Sequence, residues 1–115
     1  VAKRKVIETR DFSSKIKELL KTHRLNWQSY ENFMGVLSEN PEMGVIIPGT
    51  GGVRKTRLAS ASKGKRGGFR VCYYFHDVDT GAIYLIDLYS KNEKIDLTPN
   101  EKQKLKGFAK TITRV

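Results

Sequence analysis

The chain is poor in several features that would otherwise decide its class. Cys72 is the single cysteine among 115 residues, so no intramolecular disulfide can form. One cysteine, with His23 and His76 far apart, gives no zinc-ligand spacing, and neither metal nor other cofactor is expected. This sparing use of thiols fits a reducing cytoplasm. No apolar run approaches the roughly 18 residues that a membrane-spanning helix needs, so no membrane is expected as a partner. Lys3, Arg4 and Lys5 have no apolar segment behind them and do not read as a secretory signal. Repeats, long linkers and low-complexity tails are absent, and one domain over residues 1–115 is expected. Acidic residues are scarce too: 12 against 22 Lys and Arg, a net charge of +10. That imbalance points to nucleic acid, an anionic surface or an acidic protein as partner.

What is present is concentrated. Between Arg54 and Arg70 lie seven basic residues and no acidic one: Arg54, Lys55, Arg57, Lys63, Lys65, Arg66 and Arg70. The two ends of this stretch read as strands and its middle as a loop. Folding therefore pins the cations beside each other, and a polyanion relieves the repulsion. The alternative is a solvated basic face that serves solubility.

The hydrophobic pattern places these residues on elements. Lys3–Thr9 reads as a short strand around Val6 and Ile7. Asp11 or Ser13 offers an N-cap for a helix whose apolar face is Phe12, Ile16, Leu19 and Leu20. A second helix fits Asn26–Glu39, with Tyr30, Phe33, Met34 and Leu37 as its buried stripe and Pro41 as its stop. Gly44–Gly52 reads as a loop with several positions free to take positive φ. Three strands follow at Val53–Ala59, Phe69–His76 and Ala82–Tyr89, with a hairpin turn at Asp79-Thr80-Gly81. A last helix opens at Thr98-Pro99-Asn100-Glu101, a capping box with proline at the first helical position. Leu105, Phe108, Ala109 and Ile112 form its stripe. The expected fold is α+β: a small, mostly antiparallel sheet of one N-terminal strand plus a three-stranded meander. An N-terminal helical hairpin and a C-terminal helix pack on it, covering one face and leaving the other less covered.

Strand alternation sorts the charges. Phe69, Val71, Tyr73 and Phe75 belong to the core; Arg70, Cys72, Tyr74 and His76 face the other way. The hairpin places Arg70 beside residues 89–90, with Lys91 at the same end. The loop from Ser60 to Gly67 brings Arg57 near Arg70, and Lys55 is two residues along the same face. Lys55, Arg57, Arg70 and Lys91 are thus expected to converge, with Tyr74 and Tyr89 available to stack on unpaired bases. The competing role for both tyrosines is packing. His76 lies six residues up the strand from Arg70, roughly 20 Å at ~3.3 Å per residue. Gly49–Thr56 has Arg54 where a phosphate loop needs its second glycine, so that motif is broken. Cys72 reads as an inert strand residue.

Three segments together, Val45–Lys55, Lys63–Val71 and Asp87-Leu88-Tyr89-Ser90-Lys91-Asn92-Glu93, resemble the RelE/HigB branch of bacterial type II toxins. The resemblance implies a ribosome-dependent endoribonuclease that cuts mRNA in the decoding site, with ribosomal RNA contacts, and a cognate antitoxin that neutralises it. Lys55 and Arg57 match the family's two basic residues at alternate strand positions. Arg70 matches its arginine after a Gly-aromatic pair, and Lys91 its basic residue after the last strand. Arg54, Lys63, Lys65, Arg66, Tyr74, Tyr89 and Asn92 are then expected to bind RNA. The sequence departs from the family pattern at Asn92, where an arginine is usual, and at Thr98, where a tyrosine is usual. The proton-transfer groups therefore stay open.

Cleavage of this kind needs the 2′-oxygen in line with the adjacent phosphorus, a base, an acid and charge stabilisation. Neighbouring cations disfavour the charged form of a lysine, so Lys55 is a candidate base. Arg57 and Arg70 would clamp phosphate, and Lys91 would supply a proton or further charge. Plain backbone binding is the alternative for each cation. Two other functions remain at this stage: a ParE-like toxin acting on DNA gyrase, and a non-catalytic nucleic-acid-binding domain.

Overall fold

The computed structural model describes residues 4–61, 68–76 and 81–113. Its elements in chain order are β1 (Val6–Glu8), α1 (Arg10–Lys21), α2 (Trp27–Glu39), β2 (Val45–Ile46), β3 (Arg54–Leu58), β4 (Phe69–Phe75), β5 (Ile83–Ser90) and α3 (Pro99–Thr113). The strands form one sheet in the order β1-β5-β4-β3-β2. β1 runs parallel to β5 and every other neighbouring pair is antiparallel. The α+β class and mostly antiparallel sheet match the expectation, with β2 as an added fifth strand. β2 was hidden inside the segment expected to be loop because it is two residues long and flanked by glycine and proline. The expected turn residues Asp79 and Thr80 lie outside the described residues.

The helices form where the apolar spacing demands them. Phe12, Ile16 and Leu19 recur on one face of α1 and are buried. The helix starts earlier than Asp11 or Ser13 as cap would allow, because Thr9 takes the N-cap position. The Thr9 backbone N–H still continues the β1 ladder to the Leu85 carbonyl at 3.1 Å. Its hydroxyl donates to Leu85 O at 2.9 Å rather than capping the helix. The chain therefore passes from strand to helix without a spacer. α2 is capped by Asn26, whose side-chain oxygen accepts from the N–H groups of Gln28 and Ser29. Tyr30, Phe33 and Leu37 bury its stripe, and the Tyr30 hydroxyl donates to Glu8 Oε2 at 2.6 Å.

The sheet is covered on both faces, not one. α1 and α2 pack on the first face against Leu58, Phe69, Val71, Tyr73, Ile83, Leu85 and Leu88. α3 and Leu97 close the second face, where Ile47, Val53, Cys72, Tyr74 and Tyr89 join Leu105 and Ala109 in a separate core. Two apolar members in the outward set of β4, Cys72 and Tyr74, are the physical reason: exposed, they would forfeit about 1.5–3 kcal/mol for each large side chain. A β-bulge in β5 makes both cores possible. Cys72 pairs with Asp87 but Tyr73 pairs with Leu85, leaving Ile86 as the extra residue. Leu85 and Leu88, three apart, thereby share the first face, and Tyr89 falls on the second.

The connection before β3 is built tightly. The Tyr73 hydroxyl accepts from Gly44 N–H and donates to Pro41 O, both at 2.8 Å. A Cβ at Gly44 would lie 2.7 Å from Lys55 O, so only glycine fits there. Thr50 is buried, its hydroxyl donating to Ile47 O at 2.7 Å and accepting from Val53 N–H at 3.1 Å. Gly49, Gly51 and Gly52 take the positive φ values expected of the loop around it.

Candidate active site

The register settles which cations share a face. Arg57 stands directly opposite Arg70, and Lys55 opposite Cys72. Arg70 in turn stands opposite Tyr89. Cross-strand partners keep their side chains about 4.5–5.5 Å apart at Cβ and on one face. Lys55, Arg57 and Arg70 therefore lie together on the second face, toward the end where β3 meets the loop after Leu58. Arg57 is exposed; Lys55 and Arg70 are partly so. Lys91 sits at the same end: its backbone N–H donates to Gly68 O at 3.2 Å, extending the β4–β5 ladder by one step. Lys91 and Asn92 are both exposed. The turn that carries them is fixed by buried Ser90, whose hydroxyl accepts from Asn92 N–H at 3.1 Å and whose own N–H donates to Glu93 Oε1 at 3.2 Å.

Other expected residues are placed elsewhere. Arg54 is the neighbour of Lys55 in β3, so alternation sends it to the first face. Its guanidinium donates to Glu42 O at 3.1 Å and Gly44 O at 2.7 Å and lies over the Phe75 ring. It braces the approach to β2, on the face opposite Lys55, Arg57 and Arg70. Tyr74 and Tyr89 are 7% and 2% exposed, inside the second core. Neither offers a free ring for base stacking, because α3 and Leu97 cover them. Burial raises the pKa of the Tyr89 phenol above its ordinary value, with the Cys72 thiol and Asp96 adding to the shift. Cys72 is fully buried and its thiol is pushed up to about 12, first by desolvation and then by Asp87. It is no nucleophile at neutral pH. His76 is exposed just beyond the far end of β4. Lys63, Lys65 and Arg66 lie outside the described residues.

Two charged residues missed in the sequence reading, Asp96 and Lys94, border the cluster together with Glu101 of the expected capping box. Asp96 Oδ1 lies 3.7 Å from Lys55 Nζ. The same oxygen accepts from Leu97 N–H at 2.8 Å. That N–H, and then the Lys55 ammonium, hold the Asp96 carboxyl below its ordinary value. Lys94 sits over the Tyr89 ring at 5.1 Å and pairs with Glu101. Glu101 also completes the capping box of α3, accepting from Thr98 N–H at 2.8 Å while its own N–H donates to Thr98 Oγ1 at 3.2 Å. The crowding by like charges expected around Lys55 is thus met by an opposite charge. Nothing in the sequence pairs Asp96 with Lys55, because the two lie far apart along the chain.

The arrangement can do two things chemically. Two arginines at directly opposed strand positions can present forked donors that match phosphate oxygens. An adjacent ammonium adds a proton donor and a third charge.

A family model described as RelE toxin of RelE / RelB toxin-antitoxin system matches residues 42–115. The match runs from just before β2 through α3 and includes Lys55, Arg57, Arg70 and Lys91. With the expected α+β fold in place, the chain belongs to the RelE toxin family and is the toxin of a toxin–antitoxin system.

Proposed function

We propose that this toxin is a ribosome-dependent endoribonuclease that cuts mRNA in the decoding site and so stops translation. The observation that carries the reading is the cross-strand pair Arg57–Arg70 with Lys55 on the same face. Like charges placed directly opposite each other destabilise a sheet, and a phosphate between them converts that cost into binding. Lys63, Lys65 and Arg66, in the segment joining β3 to β4, add to the attraction for RNA by charge alone.

In the proposed reaction the 2′-oxygen of one nucleotide attacks the adjacent phosphorus. The new 2′-O–P bond forms as the P–O5′ bond breaks. The 2′ proton passes to a base, the 5′-oxygen leaves with a proton, and the products carry a 2′,3′-cyclic phosphate and a 5′-hydroxyl. Arg57 and Arg70 take the charge that develops on the non-bridging oxygens, where preorganised donors act most strongly. Lys55 and Lys91 are the candidates for proton transfer and added charge. The ribosome and the message supply the in-line geometry that a shallow protein surface does not impose by itself.

The test is expression of the toxin without its antitoxin, followed by mapping of mRNA 5′ ends. Breaks within translated frames, in register with codons and absent when initiation is blocked, are expected. Arrest with intact mRNA and gyrase-dependent DNA damage would overturn the reading in favour of a ParE-like action.

A further inference from the structure

We propose that Asp96 is a positioning residue for the reaction, holding Lys55 as an oriented ammonium beside the two arginines. Lys55 then acts as a charge clamp or proton donor and not as the base that takes the 2′ proton. The inference rests on the endonuclease reading for its chemistry and on the fold for its geometry. Asp96 sits in the connection between β5 and α3, away from Lys55 in sequence but 3.7 Å from its Nζ. Leu97 N–H donates to the same oxygen and orients this exposed carboxylate. Leu97 is itself buried in the second core. On its far side the connection is tied down by the Lys94–Glu101 pair and the capping box of α3. A buried anchor, a backbone hydrogen bond and a capped helix thus fix one negative charge against one member of the cationic face.

The groups that face Lys55 come from each neighbouring element. Arg57 lies on its own strand, Cys72 and Arg70 on β4, Tyr89 on β5, and Lys94 and Asp96 on the connection. Cys72 and Tyr89 are neutral at physiological pH, since burial raises both. Asp96 is the carboxylate that meets the Lys55 ammonium directly; Glu101 pairs with Lys94, Asp87 stands opposite Cys72 on β5, and Lys102 of α3 acts on Asp96 as well. The Asp96 carboxyl responds in the matching direction, held low by Leu97 N–H and then by Lys55.

Asp96→Asn tests the proposal in the full chain, because the amide oxygen still accepts from Leu97 N–H and only the charge is lost. The Lys55 side chain, assigned by comparison with Lys55→Arg, is followed by NMR at neutral pH in wild type and variant. Its terminal methylene and Nζ signals should shift and report greater mobility in Asp96→Asn, because the oriented contact is gone. Unchanged Lys55 signals overturn the proposal, whatever the protein cuts. In single-turnover cleavage of ribosome-bound mRNA, the variant should be slower by about 3- to 10-fold, the rate equivalent of two unit charges at this separation in water. A variant as fast as wild type, or faster, makes Asp96 a bystander or an inhibitor and overturns the proposal. A wild-type chain that cuts no ribosome-bound mRNA overturns the endonuclease reading and the catalytic use of the pair together. The lysine NMR signals still report in that case whether the pair itself exists.

Discussion

Arg70 stands between Arg57 on one neighbouring strand and Tyr89 on the other, so its backbone is held from both sides. A guanidinium on so rigid a base is suited to charge that appears only in the transition state. Arg70→Ala should therefore reduce single-turnover mRNA cleavage by on the order of 10²–10³, the usual loss for one preorganised donor. Ribosome binding, followed by co-sedimentation, should change far less. Equal losses in the two assays would make Arg70 an anchor for RNA instead. Lys55, Arg57 and Arg70 were legible because a strand's period of two is written into the sequence. The same period sends Arg54 to the opposite face, where it binds the carbonyls of Glu42 and Gly44. The charge run alone does not separate Arg54 from Lys55 and Arg57; the alternation does. Asp96 was not legible at all, since its partner is remote in sequence and the contact exists only once α3 is docked.

α3 shows what an element's own pattern does and does not reveal. Its start was readable to the residue: Thr98 and Glu101 exchange the two hydrogen bonds of a capping box, and Pro99 occupies the first turn. Its apolar stripe was readable as well. The face of the sheet it covers was not, because a stripe names no partner; the apolar Cys72 and Tyr74 on the outward side of β4 were the available clue. β2 escaped for a different reason, being too short to display any period. The junction at Thr98 has a measurable consequence. The Glu101 carboxyl lies below its ordinary value of 4.5, chiefly through Lys94 and then through Thr98 N–H. A carboxyl lowered by folding stabilises the fold above its unfolded value and withdraws that support as pH falls through the folded one. Amides in the first turn of α3 should therefore lose hydrogen-exchange protection as pH drops below 4.5, after correction for intrinsic exchange. Glu101→Gln should show the loss already at neutral pH, and Thr98→Ala should cost about 1 kcal/mol in denaturant unfolding. Protection that stays constant across the acid range would mean that the capping box does not hold α3 in place.

At the scale of the whole molecule, 22 basic residues face 12 acidic ones over a body of 39 × 35 × 23 Å. No helix among the described residues is long and apolar enough to cross a membrane. A surface with this much uncompensated charge attracts an acidic partner from a distance, and membership of a toxin–antitoxin family implies a protein partner, the antitoxin. The antitoxin is expected to bring an acidic segment to the face that carries Lys55, Arg57 and Arg70. Covering this face blocks RNA directly and relieves the repulsion between Arg57 and Arg70 at once. Steering by opposite charges is screened over a Debye length of about 10 Å at 0.1 M salt and about 3 Å at 1 M. The association rate, measured by stopped flow, should therefore fall steeply with added salt while dissociation changes less. Lys55→Glu and Arg70→Glu should each slow association and flatten its salt dependence, since each reverses one of the charges that steers. A rate indifferent to salt and to both reversals would place the antitoxin away from the cationic face. Neutralisation would then work by keeping the toxin off the ribosome sterically, with the active site left open.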